Sequence, residues 1–466
     1  MPTAMKTRMV PFKSLVITLG LLFAGMIAFA QQPTMQYFRY YDQRGINVFE
    51  TTKEDTVGYD GFKLRIGAGF TQGYQNLKHS NGLPPPPTPT TPKLYEMAGG
   101  FALAQANFNI DVQLYDGVSL NLVSYMSSHH HNEFWVKGGY LQVDKVTFLK
   151  SEFMDNLWKN LTLKVGHMEV NYGDAHFRRS DGGQTMWNPW IENNIMDEFT
   201  TEIGAEIYYK NKGIIAMFGF TDGEIQGNVA DPATPEGAKR KPSLYGKLGF
   251  DKQLQDNLRV RLTGSAMTTK SSANNTIFSG DRTGSNYQYV MDNAPVTLSG
   301  NFTSGRFNPG YRDNVTAFMV NPFVKFGGLE VFGTWEYAFG KNSLENGEVT
   351  TGTPWGSEDF TNRQTHQTAG EALYRFGKNE KFYIGARYIK VTSSLAEGQS
   401  ATSPGSLYDV TIDRTAIAGG WFITRNILLK AEYVTQNYDG YLPTGANNRF
   451  YQGKFDGFVV QGAISF

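Results

Sequence analysis

The chain has 466 residues, with 43 acidic and 43 basic side chains and no cysteine. This balanced charge argues against a nucleic-acid partner, which needs a strongly basic face, and the lack of cysteine excludes a disulfide framework. The length allows two or three soluble domains or one large barrel. A mean hydropathy of −0.38, with 51 glycines, 25 tyrosines and 33 phenylalanines, favours a barrel whose polar residues face a water-filled interior.

Residues 1–30 have the pattern of an export signal. Three basic residues within the first thirteen precede an apolar run over 15–28, and Ala28 and Ala30 form a small-x-small cleavage site. The alternative is a membrane anchor, but the run is shorter than the roughly 20 residues that a spanning helix needs. We therefore expect a signal peptide cleaved after Ala30. Removing its three positive charges from a neutral chain leaves a net charge of −3.

After this signal, apolar and polar residues alternate along segments of about ten residues. In 104–114 the apolar set is Ala104, Ala106, Phe108, Ile110, Val112 and Leu114. The residues between them are Gln105, Asn107, Asn109, Asp111 and Gln113. The same period of two appears in 62–70, 201–210 and 258–266. Since a helix would repeat every 3.6 residues, these segments are predicted strands.

The alternation predicts about sixteen strands. They lie near 60–74, 96–113, 117–127, 138–148, 161–171, 202–211, 213–222, 243–251, 257–269, 316–326, 329–340, 365–377, 381–393, 412–424, 426–438 and 455–466. A bilayer offers no water to satisfy backbone groups, so a spanning sheet must close on itself. The sequence therefore predicts an all-β fold, a transmembrane antiparallel β-barrel over 59–466. Residues 31–58 form a periplasmic N-terminal segment that could add a strand, line the mouth or plug it.

Short and long connections alternate between the predicted strands. The short ones carry tight-turn chemistry, as in Asp116-Gly117 and Gly327-Gly328. The long polar ones are 75–95, 128–137, 172–201, 223–242, 270–315, 340–364, 394–411 and 439–454. Outer-membrane barrels have this arrangement, with short periplasmic turns and long extracellular loops. One inner connection, 149–160, is longer and has the apolar spacing of a short amphipathic helix.

The last strand alternates from Phe458 and ends on Phe466. Bacterial outer-membrane proteins resemble this ending, and the resemblance implies that the barrel assembly machinery reads Phe466. A terminal aromatic alone is weak evidence, because any final strand can end so. Together with the export signal and the alternation, it predicts the outer membrane of a Gram-negative bacterium and contact with its lipid.

The third long loop, 172–201, is the candidate constriction of a pore. Its charged and titratable residues are Asp174, His176, Arg178, Arg179, Asp181 and Glu192. We expect Arg178 and Arg179 to face acidic residues of the loop across the pore, where opposed charges bias ion selectivity. The alternative is an ordinary outer loop whose arginines pair locally.

The same alternation assigns charged side chains to the pore wall. The assignment gives eleven positive and eight negative side chains, an excess that one-residue errors in register could remove. The set includes Lys63, Arg65, Glu202, Glu206, Arg259, Arg261, Lys325, Arg387 and Lys430. We therefore expect passive diffusion of small hydrophilic solutes or ions, with weak or slightly anionic selectivity.

Several short motifs resemble porins of Bacteroidetes-type bacteria. They are Gln36-Tyr37-Phe38-Arg39, residues 45–50, Tyr59-Asp60-Gly61-Phe62, Gly166-His167-Met168 and residues 172–181. Such proteins are similar to the phosphate-selective porin O/P family, and the resemblance implies a sixteen-stranded porin that usually forms a homotrimer. Phosphate specificity does not carry over, because the mixed wall lacks that family's lysine ladder and arginine cluster.

Two rival classes of function remain open. An adhesin or partner-docking barrel would suit the long polar loop 270–315. An enzyme would need a catalytic set, and His167 or His176 with Asp174 and Ser180 is the set that can be imagined. No nucleophile motif supports it, so we expect no enzyme and no cofactor. His129, His130 and His131 lack the fixed partners of a metal site, so no metal is expected.

Overall fold

The computed structural model describes residues 32–84, 93–102, 104–128, 134–180, 182–222, 241–270, 275–279, 288–294, 303–311, 314–341, 363–396 and 407–466. The signal sequence, Asp181 and the three adjacent histidines lie outside these ranges. Within the described residues, no helix has the length and apolarity to cross a membrane.

The predicted antiparallel barrel is confirmed. Its strands are β1 Lys63–Ser80, β2 Gly100–Phe101, β3 Gln105–Tyr115, β4 Val118–Ser127, β5 Trp135–Val143, β6 Leu161–Glu169, β7 Thr201–Asn211, β8 Ile214–Thr221, β9 Ser243–Gln255, β10 Leu258–Lys270, β11 Asn314–Phe326, β12 Leu329–Lys341, β13 Arg363–Phe376, β14 Phe382–Ala396, β15 Leu407–Thr424, β16 Ile427–Asp439 and β17 Lys454–Ser465. Both β2 and β3 pair with β1, so they share one of sixteen positions. Pairing of β1 with β17 closes the sheet.

The period-two pattern sets which residues face inward. In β10, Arg261, Thr263 and Ser265 are buried inside, whereas Leu262 between them is half exposed on the outer face. Other strands also expose large apolar side chains on the outer face, and some apolar residues, such as Met319 and Ile389, point inward. Exposed outer residues include Leu64, Ile66, Ile207, Val331, Ile417 and Phe458. The barrel is therefore apolar outside and polar inside, the reverse of a soluble protein.

Strand boundaries differ from the prediction at both ends of the barrel, and β5 and β1 are examples. β5 covers Trp135–Val143 instead of 138–148, because Asp144 turns away and its backbone N–H donates to Gly117 O at 2.7 Å. The predicted amphipathic helix follows at Glu152–Trp158, where the Ser151 side chain caps its first turn. At the long-loop end, β1 continues to Ser80, six residues beyond the predicted 74.

The interior of the barrel is occupied by segments from both ends. Residues 32–62 form no strand and lie at the short-turn end, with one 3-10 turn at Gln43–Gly45. The third loop enters from the opposite end with 3-10 turns at Ala175–Arg178 and Gly182–Trp187. Parts of the loop between β10 and β11 also pack inside. They contribute Phe278, Met291, Phe307 and Tyr311 to an apolar cluster in the long-loop half.

Candidate functional site

The third loop contacts the barrel wall closely at Gly173. This residue has φ +68, and a Cβ there would lie 2.1 Å from Sδ of Met319 on β11, so a larger residue would push the loop away. The next backbone N–H, that of Asp174, donates to Oδ1 of Asn321 at 2.8 Å. The glycine therefore places the Asp174 carboxylate against the wall.

Asp174 is the centre of a buried ion-pair network. Arg261 donates to it from Nη2 at 2.7 Å and Lys247 from Nζ at 3.0 Å. The Thr263 hydroxyl adds a bond of 2.7 Å. Glu50 of the N-terminal segment accepts from the same Arg261 at 2.7 Å and Lys247 at 3.2 Å. Two wall cations thus hold the loop and the N-terminal segment together.

Both carboxylates of this network stay charged at neutral pH. Burial alone would raise the pKa of Asp174 and of Glu50, but the charges of Lys247 and Arg261 outweigh it. The pKa of Asp174 is lowered, and that of Glu50 falls well below its ordinary value. A carboxyl group whose pKa is lower in the folded than in the unfolded chain stabilises the fold at pH values above its unfolded pKa. This stabilisation is lost as the pH falls through its folded pKa. The network should therefore persist until the pH falls below the ordinary pKa of a carboxyl group.

The two arginines of the third loop have other partners than those predicted. Arg178 donates to Glu371 on β13 and to Asn47 of the N-terminal segment. Arg179 pairs within the loop, donating from Nη2 to Asp197 at 2.7 Å. The predicted partner Asp174 faces wall cations instead, because its turn lies against β10 and β11. Arg178 therefore links loop to wall, while Arg179 follows the local-pairing alternative.

Two further predicted loop residues, His176 and Glu192, also have partners inside the barrel. His176 contacts Glu169 through Nδ1 at 3.0 Å and Asn171 through Nε2 at 2.8 Å. The Glu192 side chain is buried, and burial raises its pKa to about 7 although Arg414 acts against the shift. Its backbone carbonyl accepts from Arg387 at 2.9 Å. The sixth predicted residue, Asp181, lies outside the described residues.

The nine predicted wall residues all lie on strands with their side chains on the inner face. Several of them bind interior segments. Lys430 donates to three loop carbonyls, those of Thr185, Asn188 and Trp190, at 3.0, 2.9 and 2.6 Å. Lys325 instead pairs with Glu330 and Glu380 at the short-turn end. The inward positions match the sequence pattern, and a role in ion selectivity stays a prediction.

The N-terminal segment adds no strand to the barrel, and several of its side chains contact the inner wall and the third loop. Asn47 donates to Glu330 at 2.7 Å, and Lys53 donates to Leu161 O at 2.7 Å. The guanidinium of Arg39 stacks on the Trp187 ring of the third loop, 3.6 Å from its centroid. Sequence reasoning missed Glu50 as a site residue, because nothing in this aperiodic segment fixes where it lies. Its many aromatic residues were the one signal that it is ordered.

The imagined catalytic set does not form. The Ser180 hydroxyl donates to Ile191 O at 3.0 Å and accepts from Asn188. His176 is held by Glu169 and Asn171, and Asp174 by wall cations. These side chains therefore bind structural partners.

A cavity of about 240 Å³ lies between the N-terminal segment, the third loop and the wall formed by β3 to β7. Arg39, Lys164, Lys210, Tyr140 and Tyr208 are among its lining residues. We call it the inner cavity.

The comparisons with known proteins give structural likeness alone. No family model and no curated protein matches the sequence. Similar solved structures include OmpT, an outer membrane protein of Vibrio cholerae, with 11% identity, TM-score 0.45, and coverage of 88% of this chain and 99% of that chain. An anion-selective porin from Comamonas acidovorans has 8% identity, TM-score 0.48, and coverage of 87% and 100%. The outer membrane channel DcaP of Acinetobacter baumannii has 11% identity, TM-score 0.46, and coverage of 88% and 99%.

Removing the charge of Asp174 tests the buried network. In Asp174→Asn the cations of Arg261 and Lys247 lose a buried partner, so we expect the free energy of unfolding to fall by about 3–5 kcal/mol. Urea unfolding of the folded barrel, followed by tryptophan fluorescence, measures the change. Asp256→Asn, in the exposed turn after β9, is the matched control and should unfold as the wild type does. An Asp174→Asn variant with the wild-type midpoint would contradict the network's role.

Proposed function

We propose that the protein is an outer-membrane channel for passive diffusion of small hydrophilic solutes or ions. The observation that carries this proposal is the closed barrel, which combines an apolar outer face with a charged lumen narrowed by its own third loop. An exported chain with a cleaved signal peptide would reach this membrane, and the barrel assembly machinery would recognise the Phe466 end.

The outer face supports a membrane location. Large apolar side chains are exposed on successive strands around the barrel, including Ile207, Leu262, Val331 and Ile417. A soluble protein rarely exposes apolar patches of this extent, whereas lipid favours them. Each of the sixteen strand positions in the closed sheet also pairs with a neighbour on both sides, which satisfies backbone groups without water as a bilayer requires.

The charged side chains of the lumen support passage of ions with weak selectivity. Arg178 on the loop and Glu371 on the wall form an opposed pair, and the Asp174 network places charges of both signs nearby. Charged side chains along a pore influence which ions pass, and here they occur as ion pairs of both signs. The mixed signs favour weak or slightly anionic selectivity, and no phosphate specificity is proposed.

The buried parts of the long loop after β10 favour a channel over an adhesin. Ile277, Phe278, Val290, Met291 and Phe307 are all buried inside the barrel. An adhesin would present this loop outward to its partner.

As with many porins, three copies of the chain could form a trimer through their outer faces.

An arginine on the outer face tests the membrane location. Ile417 is 55% exposed on the outside of β15 and lies mid-strand, while Ile423 is 42% exposed close to the turn. We expect Ile417→Arg to lower the free energy of unfolding in lipid vesicles by about 2–4 kcal/mol and Ile423→Arg to lower it by about 0–1 kcal/mol. Equal effects of the two substitutions would argue against a bilayer around the barrel.

Neutralising the loop arginines tests the constriction. In the Arg178→Gln/Arg179→Gln double variant the lumen loses two positive charges, so we expect the reversal potential in planar bilayers to shift toward cation preference. Arg425→Gln, at an exposed turn, is the control and should leave the potential unchanged. Retention of the barrel is checked by heat-dependent migration in gels. A folded double variant with wild-type selectivity would remove the loop from the selectivity mechanism.

A further inference from the structure

The inner cavity has three distinct walls. Arg39 comes from the N-terminal segment, Phe177 and Arg179 from the third loop, and Lys164 and Lys210 from neighbouring strands β6 and β7. The cavity is therefore incomplete without the N-terminal segment. Its lining residues on β5 to β7 include Gln142, Thr162 and Lys210, which lie close to the short-turn ends of these strands.

The acidic groups that line the cavity already have partners. Glu50 binds Lys247 and Arg261. Asp111 accepts from the Tyr41 hydroxyl at 2.9 Å, and Glu169 contacts His176 at 3.0 Å. None of these three carboxylates forms an ion pair with Arg39, Lys164 or Lys210.

Three cations of the cavity have no carboxylate within 4.0 Å among the residues that the structure describes. Arg39 donates to the carbonyls of Gly45 and Phe177. Lys210 donates to Thr51 O at 2.6 Å. The positive charges of these three side chains are therefore not balanced by an ion pair with a carboxylate of the cavity.

Lys164 is the least satisfied of the three. Its Nζ has no hydrogen-bond acceptor in the described part of the chain and lies 5.1 Å and 5.3 Å from the ring centroids of Tyr140 and Tyr208. The cross-strand neighbour Glu206 does not reach it, because the Tyr208 and Tyr245 hydroxyls donate to that carboxylate. The two rings stabilise the ammonium group but accept no conventional hydrogen bond from it, so its N–H groups remain free to donate to a ligand in the cavity.

We propose that the inner cavity binds a small organic carboxylate with an apolar, preferably aromatic, body. The carboxylate accepts hydrogen bonds from Lys164 Nζ, and Arg39 and Lys210 add positive charge around it. Tyr140, Phe38 and Phe177 line the same cavity and supply ring faces for the apolar body, which pack well against aromatic ligands. The volume of about 240 Å³ restricts the ligand to a small molecule, because pockets for drug-sized ligands begin at about 300 Å³. This site rests on the proposed channel function, because its ligand would be a solute that binds in the lumen while it crosses the barrel.

Calorimetric titration of the refolded mature chain in detergent tests the site, with benzoate as the probe. We expect saturable benzoate binding, and at least tenfold weaker binding for neutral benzamide and for inorganic phosphate. The Lys164→Gln variant should also bind benzoate at least tenfold more weakly, because a charge-assisted hydrogen bond is lost. Lys164→Arg keeps the charge and should retain binding. Lys159→Gln, an exposed lysine near the start of β6, is the matched control.

The outcomes separate this proposal from the channel proposal. Benzoate binding that is unchanged in a folded Lys164→Gln variant, or no benzoate binding to the wild type, would overturn the site. Stronger binding of phosphate than of benzoate would also overturn it, since it would show an inorganic-anion site. If benzoate binds as expected while the wild type conducts no ions, the site stands and the channel function fails.

Discussion

Closure of the sheet between its first and last strands is the constraint on which the rest of the structure depends. Gly69 to Ser80 on β1 pair with Lys454 to Ser465 on β17, and the Phe466 backbone adds bonds to Ala68. Closure removes the sheet edges and divides all side chains into an outer and an inner set. The outer set is apolar, so the polar and charged residues of sixteen strand positions all meet in one lumen.

That crowding of charge explains how the interior is filled. Wall cations such as Arg261, Lys247 and Lys430 would be costly if left alone inside the barrel. They instead bind carboxylates and carbonyls of the third loop and the N-terminal segment. The same contacts that compensate the wall charges therefore fix the segments that narrow the lumen. In the inner cavity Arg39, Lys164 and Lys210 form no ion pair with a carboxylate of the chain, so a solute anion can supply the negative charge.

The sequence reveals the barrel more readily than the contacts inside it. Alternation with period two predicts nearly every strand, because one side of each strand faces outward along its whole length. The end of β5 was harder to predict, since Asp144 leaves the sheet for Gly117 O, a contact that depends on a turn distant in sequence. The partners of Arg178 and the position of Glu50 are still harder to predict from the sequence. Both are set by how an aperiodic loop and an aperiodic segment meet inside the lumen.

We infer that the barrel is a water-filled channel whose lumen is narrowed from within by the N-terminal segment and the third loop. Single-channel conductance of the mature chain in planar bilayers tests it most directly when compared with a variant that lacks residues 32–58. We expect discrete ohmic steps for the full chain and larger steps for the shortened one, because the segment occupies the short-turn end of the lumen. Folded barrels of both forms that insert without conductance steps would contradict it.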